Sequence, residues 1–230
     1  MKTQEPRTTR LRWPKVFRII PSKFPPVNFF ERIVPAEQLE AAWYLESLTN
    51  DRLRDESGDI TLAPKEQRIT GPGASIVMAA FTHIGNPSRF SDGSYGVYYA
   101  AHSLETAVRE TAFHRARFLA ATNEAPGEID MRAYVGRIKQ PFKDVRGPRF
   151  KHLHNPNDYS RSQVFGKSRR DSGDWGLVYR SVRHDGGECI AAFRCDALSA
   201  PTQSSALAYV WDGERISRVY EKGEVLFELK

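Results

Sequence analysis

The chain has 230 residues, of which 40% are hydrophobic and 27% charged, and this balance excludes wholesale disorder and fibrous repeats. No apolar run approaches the roughly 20 residues of a transmembrane helix, and the best N-terminal candidate, Val16 to Ile20, is interrupted by Arg18. With no export signal and two cysteines, we expect a cytoplasmic protein that does not bind membranes and keeps Cys189 and Cys195 as buried free thiols.

The formal charge of +6 comes from the N-terminal part of the chain. Residues 1–23 carry seven basic side chains and one acidic side chain, whereas the rest of the chain is neutral overall. We predict a basic flexible arm over residues 1–12 in front of one domain over residues 13–230. Because no helix-turn-helix, zinc finger or RNP signature accompanies the arm, a solvated tail is favoured over contact with nucleic acid or another acidic partner.

In chain order, the first predicted strand is Trp13–Ile20. A proline-rich connection leads to a predicted helix from Pro35 to about Leu53, with proline at its start. Residues 54–74 are polar and glycine-rich and predict a loop. The short apolar run Ser75–Phe81 is ambiguous between helix and strand.

The most regular pattern lies in the middle of the chain. Gly96–Ala101 predicts a buried strand, and Ser103 is a suitable N-cap for the helix that follows and ends in the turn residues Asn123–Gly127. Further short strands are predicted at Ala133–Ile138, Leu177–Val182, Cys189–Phe193, Leu207–Trp211 and Val225–Leu229, with a helix over Asp158–Lys167. Strands and helices mix without strict βαβ alternation, which favours an α+β fold.

Several familiar catalytic and cofactor motifs are absent from the sequence. There is no G-x-G-x-x-G, Walker A, H-E-x-x-H or G-x-S-x-G segment. His152 and His154 form an H-x-H pair, but no cysteine or carboxylate set stands at metal-ligand spacing beside them. A surface loop is therefore favoured over a zinc site, and we expect no bound metal.

The segment Gly85–Glu110 combines three side chains that suit a phosphate-bearing ligand. Arg89, in a turn-rich stretch, offers a planar fork of donors for phosphate oxygens. Tyr99 on the following strand offers a flat apolar face, and Glu110 on the next helix offers one carboxylate away from the apolar stripe of that helix. From the residues alone, a solvated glutamate on an amphipathic helix is the favoured interpretation, because such a combination arises often by chance.

The run R-F-S-D-G-S-Y-G-V-Y-Y-A-A-H-S-L-E-T-A-V-R-E resembles the central motif of the RES-domain family. That family is named for its arginine, glutamate and serine, and its members are toxins of bacterial toxin–antitoxin pairs. Weaker matches are V-F-R-I at residues 16–19 and G-L-V-Y-R-S-V at residues 176–182, so the resemblance spans about residues 13–195. By this match the family residues are Arg18, Arg89, Tyr99, Glu110 and Ser181.

The chain departs from the family pattern in two places. A long insertion covers about residues 24–80, and Arg180 stands just before the serine, where relatives usually have a small residue or proline. The insertion could form a surface for a target or an antitoxin, or it could shield the cleft.

The resemblance implies an α+β fold similar to the ADP-ribosyltransferase toxins, with two small packed β-sheets and flanking helices around an NAD cleft. It implies a toxin that cleaves the nicotinamide glycosidic bond of NAD and transfers ADP-ribose to water, phosphate or a protein target. The implied partner is a cognate antitoxin of the Xre helix-turn-helix type. A non-catalytic nucleic-acid-binding module that uses the basic arm is the alternative.

The resemblance also implies a role for each family residue, with NAD as the substrate. Arg89, helped by Arg18, holds the pyrophosphate. Tyr99 packs on the nicotinamide ring or its ribose. Glu110 hydrogen-bonds the ribose 2′-hydroxyl and stabilises the developing positive charge, while Ser181 positions the ribose or Glu110 by hydrogen bonding.

Overall fold

Nine strands form one hydrogen-bonded sheet in the computed structural model, which describes residues 5–23, 35, 37–47 and 58–223. The strands are β1 (Thr8–Thr9), β2 (Val16–Pro21), β3 (Tyr98–Ala101), β4 (Gly127–Gly136), β5 (Phe142–Asp144), β6 (Gly176–Arg180), β7 (Glu188–Ala192), β8 (Thr202–Trp211) and β9 (Ile216–Glu221). Their order across the sheet is β1-β5-β6-β7-β3-β2-β4-β8-β9. Neighbouring strands are antiparallel, apart from the parallel pair β5 and β6.

Four α-helices lie in the described ranges: α1 (Leu39–Ser47), α2 (Ala74–Thr82), α3 (Leu104–Ala121) and α4 (Ser160–Asp171). Short 3₁₀ turns occur at Ile60–Leu62, Lys65–Gln67, Pro148–Leu153 and Cys195–Ala197. Ser103 caps α3 as predicted, because its side chain accepts a 3.1 Å hydrogen bond from the amide of Thr106. Within the described ranges, no helix combines the length and apolar character needed to cross a membrane.

The sheet is buried on both faces, and alternate residues of the central strands point to opposite cores. On β7, Ile190 lies in the core on one face, called the first core, and Cys189 lies in the core on the opposite face, called the second core. On β6, Val178 lies in the first core and Tyr179 lies in the second core. Helices α1 and α2 pack on the first core, and α3 and α4 pack on the second. The mixed α+β character is therefore as predicted.

The sheet is nearly divided between β2 and β3. In the described chain these antiparallel strands share one register pair, Phe17 with Ala101, and they diverge beyond it. Two packed sheets were expected, but the strands form a single sheet, because the Phe17–Ala101 pair joins its two halves. The gap beyond the pair leaves room for the cavity described below.

The described part of the N-terminal arm is packed against the sheet rather than free of it. Thr8 and Thr9 pair with β5, and the carboxylate of Glu5 lies 3.0 Å from the ammonium group of Lys143. Arg7 accepts a hydrogen bond at its carbonyl from the amide of Asp144. The described part of the arm that was predicted to be flexible over residues 1–12 therefore includes a short edge strand, Thr8–Thr9, which pairs with β5.

The described part of the insertion over residues 24–80 supplies core. Leu39, Ile60 and Met78 are fully buried in the first core. The buried guanidinium of Arg68 donates to the carbonyl of Ala63 at 2.8 Å and to the carboxylate of Glu40 at 3.2 Å, which ties α1 to the chain before α2. This part of the insertion is thus integral to the fold rather than a surface addition.

Other differences follow from local context. The ambiguous run Ser75–Phe81 belongs to helix α2, because both sides of this short segment are buried. The helix predicted from Pro35 begins at Leu39, and the predicted strand Val225–Leu229 lies outside the described residues. Strand β9 has a polar composition typical of an edge strand, so hydrophobic patterning misses it. Both cysteines are buried and free, as predicted.

Candidate active site

A cavity of about 570 Å³ opens between β2, β3 and α3, on the face of the second core. Four of the five site residues predicted from the sequence line it: Arg18, Arg89, Tyr99 and Glu110. The fifth, Ser181, is hydrogen-bonded to Glu110. Residues 18, 89–110 and 181 are far apart in sequence, and the fold brings them to one place. No described residue of the insertion lines this cavity.

Ser181 and Glu110 form the central hydrogen bond of the site. Ser181 lies in the turn after β6 rather than in the strand predicted to carry it. Its hydroxyl accepts hydrogen bonds from the amides of Arg183 and His184, at 3.1 and 3.0 Å. The hydroxyl proton is then directed to Oε1 of Glu110 at 2.6 Å. Glu110 is consequently a half-buried, oriented carboxylate, and not the solvated side chain that the helical pattern favoured.

The same geometry argues against Ser181 as a nucleophile. A nucleophilic serine needs a base that takes its proton, most often a histidine. The nearest histidine in sequence, His184, bonds through Nδ1 to the hydroxyl of Thr106 at 2.9 Å, and its Nε2 lies 3.5 Å from Glu105. Ser181 therefore orients Glu110.

Arg89 is a buried cation, 6% exposed, at the wall of the cavity. Its Nη1 donates to the carbonyls of Leu153 and Asn155, at 3.3 and 3.0 Å. The ring of Tyr159 lies over the guanidinium at 4.5 Å. Among the described residues no carboxylate pairs with Arg89, and a buried charge without a counter-ion is costly. An anionic ligand in the cavity would remove that cost.

Arg18 offers a second cation across the gap in the sheet. Its Nη1 donates to the carbonyl of Tyr99 at 3.1 Å, and its guanidinium lies 4.4 Å from the ring centroid of Tyr98. The Nε atom of Arg18 is buried and has no hydrogen-bond partner among the described residues. Burial lowers the pKa of Arg18, although a guanidinium stays charged in proteins. An unsatisfied donor beside a cavity is a second feature that suits an anion.

Tyr99 holds the Arg89 loop through its hydroxyl. The hydroxyl accepts a 2.9 Å hydrogen bond from the amide of Phe90 and lies 2.9 Å from the hydroxyl of Ser88. These two residues flank Arg89 in the chain. Burial raises the pKa of Tyr99 to about 12, so its hydroxyl remains protonated. Its ring contributes an apolar wall to the cavity.

Residues 65–212 match the RES domain family, which is more than half of the chain. The chain belongs to the RES-domain family. The match confirms the resemblance carried by the central motif, and it includes Arg89, Tyr99, Glu110 and Ser181, whereas Arg18 precedes it.

Two comparisons add context to this RES domain. The uncharacterized protein y4oC of Sinorhizobium fredii (strain NBRC 101917 / NGR234) is 32% identical over 210 residues, which cover 89% of this chain and 86% of the relative. A solved structure, the Mycobacterium tuberculosis MbcT–MbcA toxin–antitoxin complex, aligns with a TM-score of 0.38 and 11% identity. That alignment covers 51% of this chain and 71% of the other.

The RES domain cavity includes residues that the sequence analysis missed. His114 follows Glu110 by one helical turn and lines the same cavity, as does Arg117. The i to i+4 spacing from Glu110 is a signal that could have identified His114. Tyr159, which covers Arg89, comes from the segment before α4 and carries no sequence signal of its own.

The floor of the cavity is formed by Tyr179 and Cys189. Burial is the main cause that raises the pKa of both groups, and the charge of Glu110 adds to it. Both side chains therefore stay protonated and neutral at pH 7. Together with the Tyr99 ring, they give the cavity an apolar lining around a few polar groups, as is usual for small-molecule sites.

Proposed function

We propose that this RES domain cleaves the nicotinamide glycosidic bond of NAD and acts as the toxin of a toxin–antitoxin pair. This proposal rests on one cavity that is lined by two arginines, Arg18 and Arg89, and by an oriented carboxylate, Glu110. Neither arginine has a carboxylate partner among the described residues. A dinucleotide needs this combination: cations for the pyrophosphate and an anion near the ribose that becomes positively charged. The cavity volume of about 570 Å³ lies in the range of small-molecule sites.

Cleavage begins at the bond between C1′ of the ribose and the pyridinium nitrogen. The electron pair of this bond moves to nitrogen, so nicotinamide leaves as a neutral molecule and needs no general acid. The ribose then carries positive charge in an oxocarbenium-like transition state. Glu110 stabilises this charge electrostatically. Ser181 occupies Oε1, which leaves Oε2 to accept from the ribose 2′-hydroxyl.

The pyrophosphate is held by the two arginines. Two main-chain carbonyls fix one nitrogen of Arg89, and no described residue accepts a hydrogen bond from its other donors, which can therefore bind phosphate oxygens. Arg18 lines the same cavity and supplies a second cation for the pyrophosphate. Because both groups are held before the ligand arrives, little side-chain entropy is lost on binding.

Incubation of the purified chain with NAD tests this activity. Three parallel reactions contain buffer alone, inorganic phosphate, or a cell extract, and mass spectrometry identifies the products. Release of nicotinamide in any arm supports the proposal, and the accompanying product separates ADP-ribose, ADP-ribose phosphate and ADP-ribosylated protein. Intact NAD in all three arms, together with binding of the chain to nucleic acid, would instead support the binding-module alternative.

The toxin role is tested by expression in a bacterial host. We expect the wild-type chain to arrest growth, because it would deplete NAD or modify an essential protein. The Glu110→Gln variant at the same expression level should allow normal growth. The proposed partner is an Xre-type helix-turn-helix antitoxin, with an acidic or carboxylate-ended segment that would complement Arg18 and Arg89 in the cavity. Co-expression of such a partner should restore growth. Growth arrest by the inactive variant would show that the toxicity does not depend on NAD consumption.

A further inference from the structure

We propose that His114 is the base that takes the proton from the acceptor when the ADP-ribosyl group is transferred. This inference rests on the NAD cleavage proposed above and assigns a group to its second half. It concerns the same cavity but a different bond, so the two proposals can fail separately.

The position of His114 places it beside the reacting ribose. It lies on α3 one turn after Glu110, and both side chains line the cavity. Phe113 packs against the imidazole, with 5.4 Å between ring centroids. The charged groups that act on His114 are Glu110 and Arg117 of its own helix, Arg183 from the turn after β6, and Arg89 from the loop before β3.

These surroundings favour the neutral imidazole. Loss of hydration is the largest cause that lowers the pKa of His114, and Arg183, Arg117 and Arg89 lower it further, while Glu110 opposes them. At neutral pH the ring therefore carries a nitrogen lone pair that can accept a proton.

The other titratable groups of the cavity do not suit this role. Tyr99, Tyr179 and Cys189 have raised pKa values and remain protonated, and the arginines remain cations. Glu110 is engaged on Oε1 by Ser181 and is assigned to the ribose on Oε2. Among the described lining residues, His114 is the group that is both uncharged and basic at pH 7.

The step balances without any further reactant. As the C1′–N bond breaks, an oxygen lone pair of water or another hydroxylic acceptor begins to form the new C1′–O bond, so that acceptor attack contributes to the same transition state as nicotinamide release. The acceptor O–H bond breaks, its electrons stay on oxygen, and its proton passes to the imidazole nitrogen of His114. The imidazolium then releases that proton to solvent, so the net products are nicotinamide, the ADP-ribosylated acceptor and one proton.

The test compares His114→Gln with wild type in nicotinamide release from NAD, with and without added azide. We expect about a hundredfold loss of turnover in buffer, within the usual range for removal of a general base. Azide is an anionic nucleophile with no proton to lose, so it should restore most of the activity of His114→Gln. Glu110→Gln should not be rescued, because azide in the acceptor position does not replace the negative charge that stabilises the oxocarbenium-like ribose. His102→Gln, an exposed histidine stacked on Trp13 outside the cavity, is the matched control.

The pH profile gives a second readout. Wild-type turnover should fall as the pH drops through the lowered pKa of His114, because the protonated ring cannot accept the acceptor proton. The acidic limb should be absent from the residual activity of His114→Gln. Melting temperature checks folding, with His114→Asn as the second variant if glutamine does not fit. The role of His114 would be overturned if His114→Gln kept the turnover and the pH profile of the wild type. It would also be overturned if His114→Gln lost activity that azide did not restore. Absence of NAD cleavage by the wild type would overturn the proposed function itself.

Discussion

The hydroxyl of Ser181 donates a 2.6 Å hydrogen bond to Oε1 of Glu110 and so joins the turn after β6 to helix α3. Because two main-chain amides, those of Arg183 and His184, occupy its acceptor sites, the serine hydroxyl has one orientation available. The carboxylate is therefore fixed by the backbone of a distant turn. A preorganised charge of this kind stabilises a transition state without reorganisation during the reaction.

Glu110→Gln should abolish turnover while the fold and much of the NAD binding remain. Glutamine keeps the shape and an oxygen acceptor, but it loses the negative charge that matters most as the oxocarbenium forms. Removal of one such electrostatic contact typically costs about 10²–10³ in rate. Steady-state nicotinamide release and calorimetric NAD binding measure the two effects. A near wild-type rate, or an unfolded variant, would contradict the catalytic assignment.

Ser181→Ala should lower turnover less than Glu110→Gln and should also lower the melting temperature. It leaves the carboxylate free to rotate and removes the acceptor for the two amides of the turn, each a loss of about 0.5–1.5 kcal/mol. The double variant should be no slower than Glu110→Gln alone, because the serine acts through the carboxylate. Additive losses in rate would show that Ser181 contacts the substrate independently.

Arg89→Lys should weaken NAD binding roughly ten- to hundredfold, since loss of hydrogen bonds to a charged group costs about 1.5–3 kcal/mol. Lysine keeps the charge but loses the planar fork and its stacking on Tyr159. Calorimetry in the Glu110→Gln background avoids turnover during the titration. Arg180→Lys is the matched control, because Arg180 is exposed and lies outside this cavity. Unchanged binding in Arg89→Lys would remove this residue from the phosphate site.

Tyr99→Phe should weaken NAD binding although the ring that lines the cavity is retained. The amide of Phe90 would lose its acceptor and Ser88 its partner, and an unsatisfied buried donor costs about 1–3 kcal/mol. The loop that carries Arg89 should become less ordered, which hydrogen exchange at the amide of Phe90 would detect. Fast exchange with unchanged NAD affinity would show that Arg89 does not depend on this anchor.

The family resemblance, rather than the residue pattern alone, selected Arg89, Tyr99 and Glu110, which lie within one loop–strand–helix unit and line one cavity in the structure. The Ser103 cap and the apolar stripe of α3 are local features, and the structure has both. The partnership of Glu110 with Ser181 depends on tertiary packing, as does the cover that Tyr159 places on Arg89. Hydrophobic patterning does not report such long-range contacts, nor the gap between β2 and β3 that creates the cavity.

Gly166→Ala should destabilise the protein, contrary to the usual effect of this change in a helix. Alanine is normally more favourable than glycine in a helix interior by about 0.5–1 kcal/mol. At Gly166, however, a Cβ would overlap the carbonyl oxygen of Phe90 and lie 2.9 Å from the Cβ of that residue. Helix α4 approaches the Arg89 loop closely because this position has no side chain.

The backbone of Phe90 cannot yield without disturbing its hydrogen bond to Tyr99, so Gly166→Ala should lower both the melting temperature and NAD affinity. Ser168→Ala, an exposed change two residues later in α4, is the matched control and should be neutral or slightly stabilising. Thermal unfolding of both variants, followed by NAD titration, measures the effects. A more stable Gly166→Ala variant with normal NAD affinity would show that the contact between α4 and the Arg89 loop is loose, and that glycine is not required there.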